Sequence, residues 1–168
     1  MNPTLKTISK EGIPEALSKA ERYRLLNEPG EAESICRDVM TVEPDHQGAL
    51  RLLGLALTDQ FVGGAADRHV EAESVFERLR DPYEKLYYAG IVHERRAKAL
   101  LTAGARPHTV TVLFEEAMTC FDKAEKIRPE GNDDAILRWN RCVRLLQQHA
   151  SDWHQEPEAF EATDSPPI

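Results

Sequence analysis

Residues 31–35 read EAESI and residues 71–75 read EAESV, and a looser copy, EAMTC, occupies residues 116–120. Each copy places an alanine at its second position, within a stretch whose apolar residues recur at helical spacing. A proline follows each copy, at Pro44, Pro82 and Pro129. Self-similarity at a spacing of about 40 residues is the sequence signature of a helical repeat protein.

Working outward from these copies, the apolar spacing predicts seven helices. They are predicted over residues 13–27, 30–42, 47–61, 66–80, 82–103, 107–127 and 132–149. In the first helix, Ile13, Leu17, Ala20 and Leu25 fall on the helical period and are predicted to face inward. Runs that alternate between apolar and polar residues, as strands in hairpins do, are not found, so the chain is predicted to be all-α.

Two helix starts carry explicit capping signals. Asp81 precedes Pro82 and is predicted to cap the fifth helix, with Glu84 completing a capping box three residues later. The segment from Asn132 to Asp134 offers a cap and negative charge to the last helix.

These features resemble the tetratricopeptide repeat (TPR) family, in which antiparallel helix pairs cross at small residues and each unit ends at a proline. The resemblance covers residues 13–149, although the second and third units are longer than the family's 34 residues. It implies an all-α, right-handed superhelix of about three helix pairs, with residues 132–149 as a C-terminal capping helix. The small residues predicted to lie at the helix crossings are Ala20, Ala32, Gly54, Ala72, Gly90 and Ala117.

The chain divides into three parts by composition. Residues 1–12 are an N-terminal extension, residues 13–149 are the repeat domain, and residues 150–168 are an acidic segment with five carboxylates and no Lys or Arg, predicted to be a flexible tail. Trp153 and Phe160 stand out there, since polar tails are poor in aromatics. Two interpretations of Trp153 remain open: packing against the last helix, or binding a partner.

Composition excludes several classes of function. The 168 residues carry a net charge of −8, which disfavours binding to nucleic acids and to anionic membranes. The apolar run at residues 52–57 is too short to cross a bilayer, and residues 1–12 lack the apolar core of a secretion signal. Three widely spaced cysteines, Cys36, Cys120 and Cys142, fit buried free thiols. A cytoplasmic protein is therefore expected.

Catalytic motifs are missing from the sequence. Neither a nucleophile elbow, a Walker A loop nor a dinucleotide-binding glycine pattern occurs, so we expect no enzyme, no cofactor and no metal. His69 and Glu73 are four residues apart, and with His93 they define a weaker alternative, a metal-dependent enzyme.

The family resemblance implies a non-catalytic adaptor that binds a peptide or helix of another protein along its concave face. The family positions that grip chaperone C-termini are Leu17 and Glu21 here, which argues against that particular activity. Arg51→Glu and Arg95→Glu are expected to abolish partner binding while leaving the helices intact. By register, the residues predicted to bind the partner are Arg24, Arg51, Tyr87, Glu94, Arg95, Asn140 and Arg144, and Trp153 is added from the acidic segment.

Two alternatives keep the fold but change the function. The protein could be an export or assembly chaperone that shields a client protein, or a structural subunit that self-associates. The protein is expected to be a monomer or a weak homodimer. The sequence does not identify the partner polypeptide.

Overall fold

A computed structural model describes residues 2–62 and 68–153, without the side chains of Ser151 and Asp152. Within these residues the chain forms helices and no strand, which confirms the all-α prediction. No helix in the described residues has both the length and the apolar composition of a membrane span. The helices are α1 (Ile13–Leu25), α2 (Pro29–Val42), α3 (Gln47–Thr58), α4 (Arg68–Glu77), α5 (Pro82–Thr102), α6 (Pro107–Lys126) and α7 (Asp134–Trp153).

Each helix packs against the next one along the chain, and α3 also contacts both α1 and α5. The helix starts follow the capping signals. The Asp81 carboxylate accepts a 2.8 Å hydrogen bond from the backbone N–H of Tyr83, and the Asn132 side chain accepts one of 3.0 Å from Asp134. These two caps were predicted from the sequence and are confirmed.

The predicted inner stripe of α1 is wrong at its end. Ile13 and Ala20 are buried, but Leu25 is 82% exposed. Five residues separate Ala20 from Leu25, so at about 100° per residue Leu25 points roughly 140° away from the buried stripe.

All six small residues predicted at helix crossings are buried. Two of them lie directly under aromatic rings of the following helix. A Cβ atom built on Gly54 would lie 2.3 Å from the ring of Phe76, and one on Gly90 would lie 2.5 Å from the ring of Phe121. Glycine is therefore the residue that lets these helix pairs approach each other.

The last helix is longer than predicted. It runs to Trp153 instead of ending at about His149, and the Trp153 ring stacks on the His149 ring with centroids 5.8 Å apart. Trp153 also packs against the core formed by α5, α6 and α7. This favours the packing interpretation of Trp153. The predicted tail, apart from the end of α7, lies outside the described residues.

The three cysteines are free thiols in the described residues, as expected. Cys36 and Cys142 are buried and Cys120 is half-buried. Burial raises the pKa of the Cys36 and Cys142 thiols to about 12, so both stay protonated at neutral pH. They act as small apolar core residues.

Ion pairs join α2 to α4. The Glu33 carboxylate on α2 accepts hydrogen bonds from Arg37 at 2.7 Å, Arg68 at 2.8 Å and Gln60 at 2.8 Å. Arg37 also binds Glu71 on α4 at 2.6 Å. Burial alone would raise the pKa of Glu33, but these hydrogen bonds outweigh it and lower the pKa from 4.5 to about 2.

We expect Glu33→Gln to remove an acid-sensitive part of the stability. Since the folded-state pKa is depressed, the stabilisation is complete above the unfolded pKa of 4.5 and disappears as the pH falls towards 2. We expect about 1–2 kcal/mol after allowing for solvent screening. Urea unfolding at pH 6 and pH 3 checks this: the gap between wild type and Glu33→Gln should shrink at pH 3. A gap that is the same at both values would contradict it, and the exposed Glu31→Gln is the control.

Candidate functional site

An open groove of about 470 Å³ lies between α1, α3 and α5. Its apolar walls are formed by Leu17 from α1, Leu52 and Leu55 from α3, and Tyr88 from α5. Its charged walls are formed by Glu21, Arg24 and Arg51. We call this surface the α1–α3–α5 groove. It combines apolar anchoring area with a few charged hydrogen-bonding groups, as binding sites commonly do.

Arg51 stands on one wall of the groove and binds Glu84 of α5. Its Nη1 atom lies 3.0 and 3.1 Å from the two Glu84 oxygens, and 36% of the Arg51 side chain stays exposed. Glu84 was expected to complete the capping box with Asp81, but the described contacts place its carboxylate on Arg51. Glu84 binds the Arg51 guanidinium in place of the backbone N–H of Asp81, because a hydrogen bond between two charged groups is about twice as strong as one between neutral groups.

Arg24 and Arg95 share a single carboxylate, that of Asp59 just after α3. The Arg24 Nε atom is 2.7 Å from Oδ2 of Asp59, while Nη1 of Arg95 binds Oδ1 and also donates to Oγ1 of Thr58 at 2.8 Å. Burial lowers the pKa of Arg95 and repulsion from Arg24 adds to this, whereas Asp59 opposes it. Arg95 is therefore held in place by α3, and Arg95→Glu would disturb the fold itself instead of testing binding alone.

Glu94 is fully buried, although the sequence placed it among surface contacts. Its Oε1 atom is bound by Lys98, one turn along α5, and Nη1 of Arg138 on α7 lies 3.5 Å away. Its Oε2 atom accepts no hydrogen bond from the described residues. Although burial opposes the charge of Arg138, Glu94 and the Tyr87 hydroxyl raise its pKa. Glu94 thus joins α5 to α7.

Tyr88, and not the predicted Tyr87, is among the residues that line the groove. Tyr87 is half-buried, with its ring 5.8 Å from Tyr83 and 6.0 Å from Phe121, centroid to centroid. Tyr88 lines the groove and stacks on Phe76 at 4.7 Å. Neighbouring positions on a helix point about 100° apart, so two adjacent tyrosines face different surfaces.

The remaining predicted residues lie on α7. Asn140 is half-buried and Arg144 is exposed, and neither they nor Trp153 belong to the described walls of the groove. The structure therefore brings Arg24 and Arg51 into the groove and ties Arg95 to it through Asp59. The sequence analysis missed Asp59, Tyr88 and Leu52 as residues of this site. A single polar residue after an apolar helix, as Asp59 is, carries no distinctive pattern.

A second cavity, of about 390 Å³, lies between α4 and α5. Glu73 and His93 both line it, which brings together two of the three residues of the metal-enzyme alternative. Within residues 2–62 and 68–153 there is no cluster of three or more side chains that could bind a metal. His93 instead lies 3.3 Å from Glu116, measured from Nδ1 to Oε2.

Comparisons with known proteins add no relative to this description. No family model, no curated protein and no solved structure matches the chain. The candidate site therefore rests on the geometry of the α1–α3–α5 groove and on the charged residues next to it.

Proposed function

We propose that the protein is a non-catalytic interaction module with a TPR-like superhelix, and that it binds a peptide segment of a partner protein in the α1–α3–α5 groove. The observation that carries this proposal is the composition of the groove, with four apolar side chains beside the partly exposed, ion-paired Arg51. The helix order and the buried small residues support the repeat architecture.

The groove fits an extended polypeptide for a physical reason. Leu17, Leu52, Leu55 and Tyr88 offer apolar area to one or two anchoring side chains. Arg51 keeps donors beyond those used by Glu84, and these can bind a carboxylate or a backbone carbonyl of the segment. Because the segment must be ordered on binding, we expect an affinity of about 1 μM.

The charged groups of the groove favour binding over chemistry. Two of the three charged groups, Arg24 and Arg51, are guanidinium groups that carboxylates of the same chain hold in place, and each guanidinium offers several hydrogen-bond donors. Such groups orient a ligand and stabilise its charge, which is the role we assign to them.

Arg51→Glu is expected to weaken peptide binding at least tenfold, because it reverses the charge at the groove wall next to Glu84. Ligands are selected from a displayed library of random 12-residue peptides, and their affinity is then measured by calorimetry. Arg78→Glu is the matched control: Arg78 is also ion-paired, to Asp45, and its side chain is 38% exposed, against 36% for Arg51. The Arg78→Glu variant should bind the selected peptides with the same affinity as the wild type.

An equal loss in both variants would show a general charge effect and would contradict the groove assignment. Unchanged binding in Arg51→Glu would contradict it as well. Circular dichroism of the three proteins confirms that the helices are retained.

A further inference from the structure

Next to the α1–α3–α5 groove, six charged side chains form one coupled cluster. Arg24 and Arg95 bind Asp59, while Lys98 and Arg138 neighbour Glu94. The two halves adjoin, because Glu94 and Arg95 are consecutive residues of α5. Burial lowers the pKa of Arg95, and the positive charges of Arg24 and Arg138 lower it further. We call this the charge cluster; it comprises Arg24, Asp59, Glu94, Arg95, Lys98 and Arg138.

The charge cluster holds more positive than negative charge. In the part of the chain that the structure describes, the ion pairs of the cluster join four cations to two carboxylates, a formal charge of +2 in a protein whose net charge is −8. The neighbouring Arg51–Glu84 pair is neutral as a unit and does not change this balance. Desolvated like charges are costly, so an additional anion would stabilise the cluster.

The cations of the charge cluster are accessible to such an anion. The exposed fraction of the side chain is 18% for Arg24, 21% for Arg95, and 34% for both Lys98 and Arg138. Asp59 is 22% exposed, about as much as the two arginines that it binds, whereas Glu94 is fully buried beside Lys98 and Arg138. A ligand would therefore meet unshielded positive charge mainly at Lys98 and Arg138.

We propose that residues 154–168 bind the charge cluster of their own chain through their carboxylates. This segment contains Glu156, Glu158, Glu161 and Asp164 and no Lys or Arg, so its charge is opposite to the surplus of the cluster. In the sequence it follows Trp153, which is the last residue of α7, the helix that contributes Arg138.

The length of the segment is sufficient for this contact. Arg138 and Trp153 are fifteen residues apart on α7, a distance of about 22 Å along the helix. Fifteen residues of extended chain span up to about 50 Å. The segment can therefore double back along α7 and still place several carboxylates on the cluster.

Binding of the segment would also affect the groove, because Arg24 belongs to both surfaces. A bound segment would then compete with a partner peptide. The contact with the charge cluster does not depend on the proposed function, whereas this competition does.

A synthetic peptide of residues 154–168 tests the contact on full-length protein. The neutral variant carries Glu156→Gln, Glu158→Gln, Glu161→Gln and Asp164→Asn, and leaves every described residue unchanged. We expect it to bind the fluorescently labelled peptide about tenfold more tightly than the wild type does, because a tethered competitor acts at millimolar effective concentration. Fluorescence anisotropy measures the affinity.

A matched control removes the effect of overall charge. It replaces four exposed glutamates outside the segment by glutamine, which gives the same net charge as the neutral variant; these are Glu11, Glu28, Glu31 and Glu130. It should bind the peptide like the wild type. Equal affinity in the neutral and control variants, or no binding to any protein, would overturn the proposal.

NMR of protein with ¹⁵N-labelled arginine locates the contact. The side-chain signals of Arg24, Arg95 and Arg138 should differ between the wild type and the neutral variant, while those of Arg78 should not. Differences confined to other arginines would overturn the assignment to the cluster. The shifts should not depend on protein concentration, and a dependence would overturn binding within one chain.

Discussion

Glu94→Ala is expected to destabilise the protein by about 3–5 kcal/mol, the largest effect of a single substitution that we predict. Glu94 is fully buried and holds Lys98 by its Oε1 atom, with Arg138 3.5 Å away. Removing it leaves both cations without their carboxylate and adds to the positive surplus of the charge cluster. It also leaves a cavity where the buried Glu94 side chain meets Arg138 of α7.

Urea unfolding followed by circular dichroism measures this loss. Glu116→Ala is the control. Like Glu94, Glu116 is a helical glutamate beside a basic side chain, that of His93 on α5, but its own side chain is 49% exposed. We expect it to change the free energy of unfolding by less than about 1 kcal/mol. If Glu94→Ala cost no more than Glu116→Ala, Glu94 would not be needed to join α5 to α7.

Gly90→Ala is expected to destabilise the protein by about 1–3 kcal/mol, although alanine is the better helix former by about 1 kcal/mol. The added methyl group would lie 2.5 Å from the ring of Phe121, which is fully buried in the core. Gly54→Ala meets the ring of Phe76 at 2.3 Å and should behave in the same way.

Gly30→Ala is the matched control for both substitutions. A Cβ atom on Gly30, in the first turn of α2, meets nothing within 4 Å. This substitution should be neutral or should stabilise by up to about 1 kcal/mol. A double variant, Gly90→Ala with Phe121→Leu, should lose less than the sum of the two single variants, because the clash then disappears. Additive losses would show that the ring does not press on Gly90.

The helices and their small crossing residues were predictable because both are local properties. Apolar spacing fixes which face of a helix is buried, and the six small residues predicted at the crossings are all buried. Capping by Asp81 and Asn132 was also predictable, since a cap depends on residues two or three positions apart. Leu25 was misplaced because a step of five residues from Ala20 does not return to the same face of a helix.

The partners of charged residues were not predictable in this way. Arg51 and Glu84 are 33 residues apart, and Glu94 and Arg138 are 44 apart. Many acidic and basic residues are present, and an exposed pair is worth too little to leave a pattern in the sequence. Glu94 was therefore predicted to bind a partner on the surface, whereas it is buried and pairs with Lys98.

The sequence by itself determined the class of this protein: seven helical segments, their buried faces, and the glycines that allow close approach of neighbouring helices. Only the tertiary structure decided which charges become buried and which remain at the α1–α3–α5 groove. The physical reason is that helix formation and amphipathicity are short-range properties, whereas the electrostatic environment of Arg95 or Glu94 depends on side chains brought together by the packing of α3, α5 and α7.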